Sequence, residues 1–426
     1  MNQNLRSLFC IALAFATSAM AGAAPELQPA ATDSGPLHSA LQPMVDHHIV
    51  AGAVALVANR QKVLDLESVG YASLETKAAM QNNDLFWIAS MTKSLTAAAL
   101  MMLVDEGKVK ITDPVEKYLP EFKGQMVAMD AEKQTPPHPP QHPITIIEIM
   151  SHASGLVLPN DPAVRSTYVL KDDVARYGVA PLLREPGTKF QYNNTGIDTG
   201  GRIIEVVSGM PYTEFMQKRL LDPLGMKDTT FWPTEEQANR LARSARLTPD
   251  KSGLEQVKQD KGVTQALIDR LSHGVAVPAP MLADMGVGTI TEYVKHYSEP
   301  AGGLFSTASD IGTFCQMLLN DGVWQGKRYL STEAIRQMTS IQTGDIMVNP
   351  QEGYGLGWFV KKKDDEGPSV GSFGHRGARR TVMWVDPKNQ LVMVLLVERF
   401  DMSGEEQKEL YSSFMKAAIE RFGAKN

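Results

Sequence analysis

Strand-forming sequence is concentrated near the two ends of this chain. Ala51 to Val57 and Val63 to Val69 are apolar and β-rich, and the polar turn Asn59-Arg60-Gln61 between them predicts an antiparallel hairpin. Comparable stretches return at Gly355 to Lys361, Ser372 to Arg376, Thr381 to Val385 and Leu391 to Val397. The segment between reads as helical. Helices are expected over Ser90 to Asp105, Thr145 to His152, Gly196 to Ser208 and Thr213 to Leu221, with Gly107, Gly155 and Gly209 as C-terminal stops. Thr145 and Glu148 form a capping box, and a closing helix runs from Glu405 to Arg421. Strands, then helices, then strands predict an α/β chain of the α+β kind. One antiparallel sheet is built from about 51–71 and 355–397, flanked by helices, with a large, mainly helical region over about 85–350. Gln134 to Pro143, rich in proline and histidine, reads as an irregular loop, and Glu235 to Pro300 has no legible pattern.

The first residues follow a different logic. Arg6 precedes an apolar run from Leu8 to Ala16, and small residues follow around Ala19-Met20-Ala21 and Ala21-Gly22-Ala23. This predicts a cleaved export signal over 1–23 and a periplasmic or secreted mature chain. The run is well short of the ~20 residues a transmembrane anchor requires. Cys10 follows Phe9 where a lipoprotein signal has a small residue. Cleavage leaves Cys315 as the one cysteine, so no internal disulfide is expected and the catalytic domain, placed at 34–423, rests on its core. At 426 residues and 43% hydrophobic content that core is large. A net charge of -6 without long single-sign runs argues against a nucleic-acid or anionic-membrane partner.

The chemistry starts at Ser90-Met91-Thr92-Lys93. Residues three apart in a first helical turn lie on one face, within reach of each other. A serine hydroxyl attacks only when a base takes its proton, and a lysine serves as that base only if burial lowers its pKa from ~10.4. Ala97 to Val104 is apolar all round, which predicts a helix through the interior with Lys93 near its buried start. The bland reading makes Ser90 a helix cap. The same spacing at Ser413 and Lys416 sits in the amphipathic closing helix and reads as a solvated pair.

Two further elements join it. In Phe190-Gln191-Tyr192-Asn193-Asn194, after Pro186-Gly187, the Tyr192 phenol can move protons and the Asn194 amide can hold a substrate carbonyl. Alternatively Tyr192 packs under the loop and Asn194 caps the next helix. Phe373-Gly374-His375-Arg376-Gly377 reads as a strand whose glycines allow close approach of a ligand or backbone. The amides of Ser90 and Ala378 would form an oxyanion hole there. His375 can equally be a core histidine. His138 and His142 sit in a proline-rich loop without an evident acidic partner, so neither a metal nor a cofactor is expected. That loop is instead expected to border the cleft.

Together these motifs resemble the serine β-lactamase and penicillin-binding superfamily, in which a Ser-x-x-Lys helix, a Tyr-x-Asn or Ser-x-Asn loop and a Lys-Thr-Gly strand meet. Ser151-His152-Ala153-Ser154-Gly155-Leu156, Gly302-Gly303-Leu304-Phe305-Ser306-Thr307 and Tyr354-Gly355-Leu356-Gly357-Trp358 make the chain look like the class C branch with its esterases and D-amino-acid peptidases, from about Leu37 to Phe422. The resemblance implies a β-lactamase-like fold and an acyl-enzyme at Ser90, with Lys93 and Tyr192 as general base and acid. Asn194, His375, Gly377 and Ala378 would bind substrate. His375 stands where a β-lactamase of this branch has lysine, which weakens a cationic anchor unless Arg376, Arg379 or Arg380 restores it. Asn193 replaces a common serine, with little effect expected. The leading expectation is hydrolysis of small carboxylic esters. The alternatives are a β-lactamase or D-amino-acid peptidase, and a penicillin-binding-type sensor without turnover.

Overall fold

The computed structural model describes residues 35–129, 135–159, 161, 169–257, 299–365 and 367–424. The expected export signal and most of 235–300 lie outside the described residues.

The strands at the two ends of the chain do combine into one antiparallel sheet. Its eight strands run, edge to edge, Glu352–Tyr354, Phe359–Lys361, Phe373–Arg376, Val382–Asp386, Leu391–Val397, Gly52–Ala58, Val63–Ser73 and Ala78–Ala79. The seam between the chain ends pairs Ala53 with Val397 and Ala58 with Val392. The sheet includes an edge strand that begins slightly earlier than expected, at Glu352, and the second arm of the hairpin extends to Ser73.

The central strands Gly52–Ala58 and Leu391–Val397 are buried at every position. Their side chains divide by alternation, as a period-two strand requires. Ala53, Ala55, Val57, Met393 and Leu395 face Leu37, Leu41 and Met44 of helix Pro36–Asp46 and Leu410, Phe414 and Ala418 of helix Gly404–Phe422. Val54, Leu56, Val392, Val394 and Leu396 face the opposite core, with Ile311, Phe314 and Cys315 of helix Ala308–Leu319. Helices on both faces explain the continuous apolar runs in these strands. Each fully buried aliphatic side chain contributes about 1.5–3 kcal/mol of transfer free energy.

The helical middle differs locally from its sequence-based outline. The second helix is Thr92–Asp105, preceded by a 3₁₀ turn over Ala89–Met91, so Ser90 lies just outside the α-helix. Every residue from Thr92 to Leu103 is buried, as the all-round apolar sequence predicted. Thr145 and Glu148 make the capping box of a short helix, Ile146–Met150. Gly209 is the left-handed C-cap of helix Asn194–Ser208. Gly155 is not a helix stop: a Cβ there would lie 2.4 Å from the Arg184 carbonyl oxygen, and close backbone approach is what requires glycine. The helix expected at Thr213 starts at Tyr212 and widens into a π turn over Met216–Leu221. The middle also contains short strand pairs, Phe86–Trp87 with Phe305–Ser306 and Ala245–Leu247 with Leu254–Gln256. The first of these fixes the chain just ahead of Ser90.

Candidate active site

Ser90 is held by a turn under backbone strain. Ala89 adopts φ 47°, a left-handed conformation that costs a non-glycine residue roughly 1–2 kcal/mol. The turn is pinned on both sides, with the Ile88 amide donating to the Leu304 carbonyl (3.0 Å) and the Thr381 hydroxyl to the Ile88 carbonyl (3.3 Å). Glycine is required at 377 for the same reason. A Cβ there would meet the Ile88 carbonyl oxygen at 2.5 Å and Thr381 Oγ1 at 2.1 Å. Gly377 and Ala378 lie beyond the end of strand Phe373–Arg376, in a turn closed by the Arg380 amide donating to the Gly377 carbonyl (3.1 Å), not on the strand itself. Ala378 is exposed on that turn.

Lys93 is fully buried beneath this turn. Its Nζ lies 3.0 Å from Ser90 Oγ and donates to the Ala301 carbonyl at 2.7 Å. The segment supplying that carbonyl is laced to the same helix. Thr96 donates to the Pro300 carbonyl (2.7 Å), and the Leu304 amide donates to Thr92 Oγ1 (3.2 Å). Tyr192 completes the cluster from the third direction. Its ring centre is 4.8 Å from Lys93 Nζ and 4.4 Å from the His152 ring, and the residue is 38% exposed. A buried amine thus sits below a serine and a tyrosine that retain access to solvent.

The third-motif histidine is locked into the protein. His375 is 1% exposed. Tyr354 Oη lies between two imidazoles, 3.1 Å from His152 Nε2 and 3.0 Å from His375 Nε2. The Asn193 amide donates to His152 Nδ1 (3.2 Å), so the proton of neutral His152 is on Nε2 and is donated to Tyr354. Tyr354 then donates to His375 Nε2, and His375 Nδ1 donates to the Arg376 carbonyl (2.9 Å). One consistent chain assigns both tautomers. Burial first, and the Lys93 charge second, hold both imidazoles well below the ordinary histidine range.

None of the three arginines considered as a replacement anchor is uncommitted. Arg376 makes a two-pronged pair with Glu352 (3.1 and 2.5 Å) between the rings of Phe359 and Trp384. Arg379 is buried against Trp87 and Phe400, its Nε 4.0 Å from Glu398. Arg380 donates to the Met402 carbonyl (2.9 Å).

The asparagine loop is also resolved into distinct parts. Asn193, not Asn194, is the N-cap of helix Asn194–Ser208, its Oδ1 accepting from the Thr195 amide (3.1 Å). Asn193 Nδ2 bridges the Leu156 and Val157 carbonyls at 2.9 Å each, so this side chain ties the loop together. Asn194 donates through Nδ2 to Glu299 Oε1 (3.0 Å). Burial foremost raises the Glu299 carboxyl above its usual range, opposed by Lys93 and Asn194. Burial and then Glu299 push Asp198, which accepts from the Ala301 amide (3.2 Å), far above it. His152, Tyr354, Asp198 and Glu299 were not singled out from sequence, although His152 and Tyr354 lie within motifs that carried the resemblance.

The histidines of the proline-rich loop have acidic neighbours after all. His138 Nδ1 is 3.5 Å from Glu185 and His142 Nε2 is 3.6 Å from Glu148. No group of three or more metal-ligating side chains occurs among the described residues. Among them, too, no helix is long and apolar enough to cross a membrane.

Comparison with known proteins places this geometry in context. The Beta-lactamase family model matches residues 37–414. The D-alanyl-D-alanine-carboxypeptidase/endopeptidase AmpH of Escherichia coli is 26% identical over 361 residues, covering 82% of this chain and 79% of the relative. The lovastatin esterase of Penicillium rubens is 29% identical over 382 residues, covering 82% and 88%. Among solved structures, EstCE1, a hydrolase with promiscuous acyltransferase activity, superimposes with a TM-score of 0.71 at 22% identity, over 89% of this chain and 97% of its own, a likeness of fold. The chain belongs to the Beta-lactamase family and has its fold of an antiparallel sheet with helices.

Proposed function

We propose that this protein is an exported serine hydrolase that acylates Ser90 and acts on small carboxylic esters. The observation that carries the mechanism is Lys93 Nζ, 3.0 Å from Ser90 Oγ and anchored by Ala301. Ser90 Oγ attacks the ester carbonyl carbon as Lys93, with Tyr192 beside it, takes the hydroxyl proton. The resulting oxyanion is held by the amides of Ser90 and Ala378. When the tetrahedral intermediate collapses, the carbon–oxygen bond to the alcohol breaks and the proton passes to the departing oxygen. Water then attacks the acyl carbon and loses its proton to the same base, and as the bond from that carbon to Ser90 Oγ breaks the proton returns to Oγ, which releases the acid and free Ser90.

The preference for esters rests on the locked third motif. A β-lactam or a peptide ending in D-alanine carries a carboxylate that needs a cationic anchor. Here His375 is neutral with both nitrogens bonded, and Arg376, Arg379 and Arg380 are engaged elsewhere. Relatives bearing peptidase and esterase names both align along most of this chain, so substrate choice turns on these side chains. Steady-state assays with short p-nitrophenyl esters, nitrocefin and D-alanyl-D-alanine peptides test the reading. Higher kcat/KM on the esters is expected. Nitrocefin or peptide turnover far above that of every ester would overturn it.

A further inference from the structure

Among the described residues the third motif offers no uncommitted cation, and a carboxylate lies beside Asn194. Glu299 is partly buried beside Asn194, two residues before the carbonyl that holds Lys93. Its backbone carbonyl accepts from the amides of Gly302 (3.1 Å) and Gly303 (2.8 Å), which makes it part of the same fixed turn. A Cβ at Gly303 would come within 3.0 Å of that backbone. Among the described residues, the polar group bonded to its side chain is the uncharged Asn194 amide. Lys93 is the nearby basic group, and its amine is committed to Ser90 and Ala301. A substrate chain extending toward Asn194 would meet the Glu299 carboxylate, whose opposing charge among the described residues is Lys93.

From this arrangement we infer that Glu299 determines charge selectivity, favouring ester substrates whose acyl chain carries an ammonium group and disfavouring those that carry a carboxylate. The inference rests on the proposed ester hydrolysis and names the substrate class for that site. Glu299 acts by through-space attraction and by fixing the Asn194 amide; it makes or breaks no bond.

The test uses the full-length protein and three matched p-nitrophenyl esters. Their acyl chains end in trimethylammonium, in its uncharged tert-butyl isostere, or in carboxylate. At pH 8 the wild type is expected to turn over the ammonium ester with roughly tenfold higher kcat/KM than the isostere, and the carboxylate ester roughly tenfold lower, the scale of one charge interaction at a partly exposed site. Glu299→Gln is expected to bring the three values together, and Glu299→Lys to reverse their order. Should either variant misfold, wild-type selectivity still decides: it should weaken as added salt screens the charge and as falling pH protonates Glu299 together with Asp198, the buried acid that interacts with it. Equal kcat/KM for the three esters in the wild type, or a preference unchanged in Glu299→Gln, would overturn the inference. If neutral-ester turnover persists in Ser90→Ala, the hydrolase mechanism itself fails, which separates the two outcomes.

Discussion

The Lys93 amine lies 3.0 Å from the Ser90 hydroxyl, although the lysine lies in the first turn of an α-helix and the serine sits in the strained turn before it. Lys93→Met removes the proton acceptor while keeping a long apolar stem in a fully buried position. Ester kcat/KM is expected to fall by at least ~10²-fold, the lower end of what a positioned base supplies. Stopped-flow acylation should show the loss in the first step. Near-wild-type acylation by a folded Lys93→Met protein would remove Lys93 from the mechanism.

How much of this was legible beforehand depends on the range of the interaction. The hairpin at 51–69, the buried helix after Ser90 and the Thr145 capping box follow from period, burial pattern and local hydrogen bonding, and sequence displays all of these. The π turn at Met216–Leu221 and the left-handed Ala89 do not follow from propensity, because tertiary contacts impose them. The Ser90, Lys93, Tyr192 and His375 positions were readable through motif order. The Tyr354 bridge between His152 and His375 needed coordinates, since it joins segments up to 202 residues apart, whereas the Asn193 cap is local and the sequence reading set it one residue late, at Asn194.

Tyr354→Phe keeps the ring but deletes the hydroxyl between the imidazoles. The His152 donor and the His375 acceptor then lose their shared partner in a buried setting, a loss of about 1–3 kcal/mol. Urea unfolding should show a lowered midpoint with unchanged slope. A midpoint within error of wild type would mean the chain of hydrogen bonds contributes nothing to stability.

Both imidazoles should stay neutral in the native protein well below pH 6.5, because burial and Lys93 depress them. The unfolded chain takes up these protons near pH 6.5, whereas the folded chain resists. Their contribution to stability is thus fully present above about pH 6.5 and is lost as pH falls toward the folded-state values. Asp310, raised to about 6 mainly by burial, works the other way: its contribution is present below the unfolded carboxylate range and is lost as pH rises through about 6. Histidine NMR through pH 5.5 isolates the first effect. Two non-titrating imidazoles are expected, and normal titration of His375 would contradict the locked third motif.

Gly377→Ala drives a methyl group toward the Ile88 carbonyl and the Thr381 hydroxyl. Because Ile88 precedes the Ala89–Met91 turn, the displacement reaches the proposed oxyanion donors at Ser90 and Ala378. A fall of about 10²-fold in kcat is expected, with KM changed far less. A rise in KM alone would place the effect on substrate binding.

Pre-steady-state hydrolysis of a p-nitrophenyl ester bears most directly on the acyl-enzyme. If acylation at Ser90 outpaces deacylation, wild-type protein releases a burst of p-nitrophenol equal to the active-site concentration, peptide mapping finds the acyl group on Ser90, and Ser90→Ala gives neither. A burst of equal size from Ser90→Ala, or an acyl group mapped to a different side chain, would contradict the account.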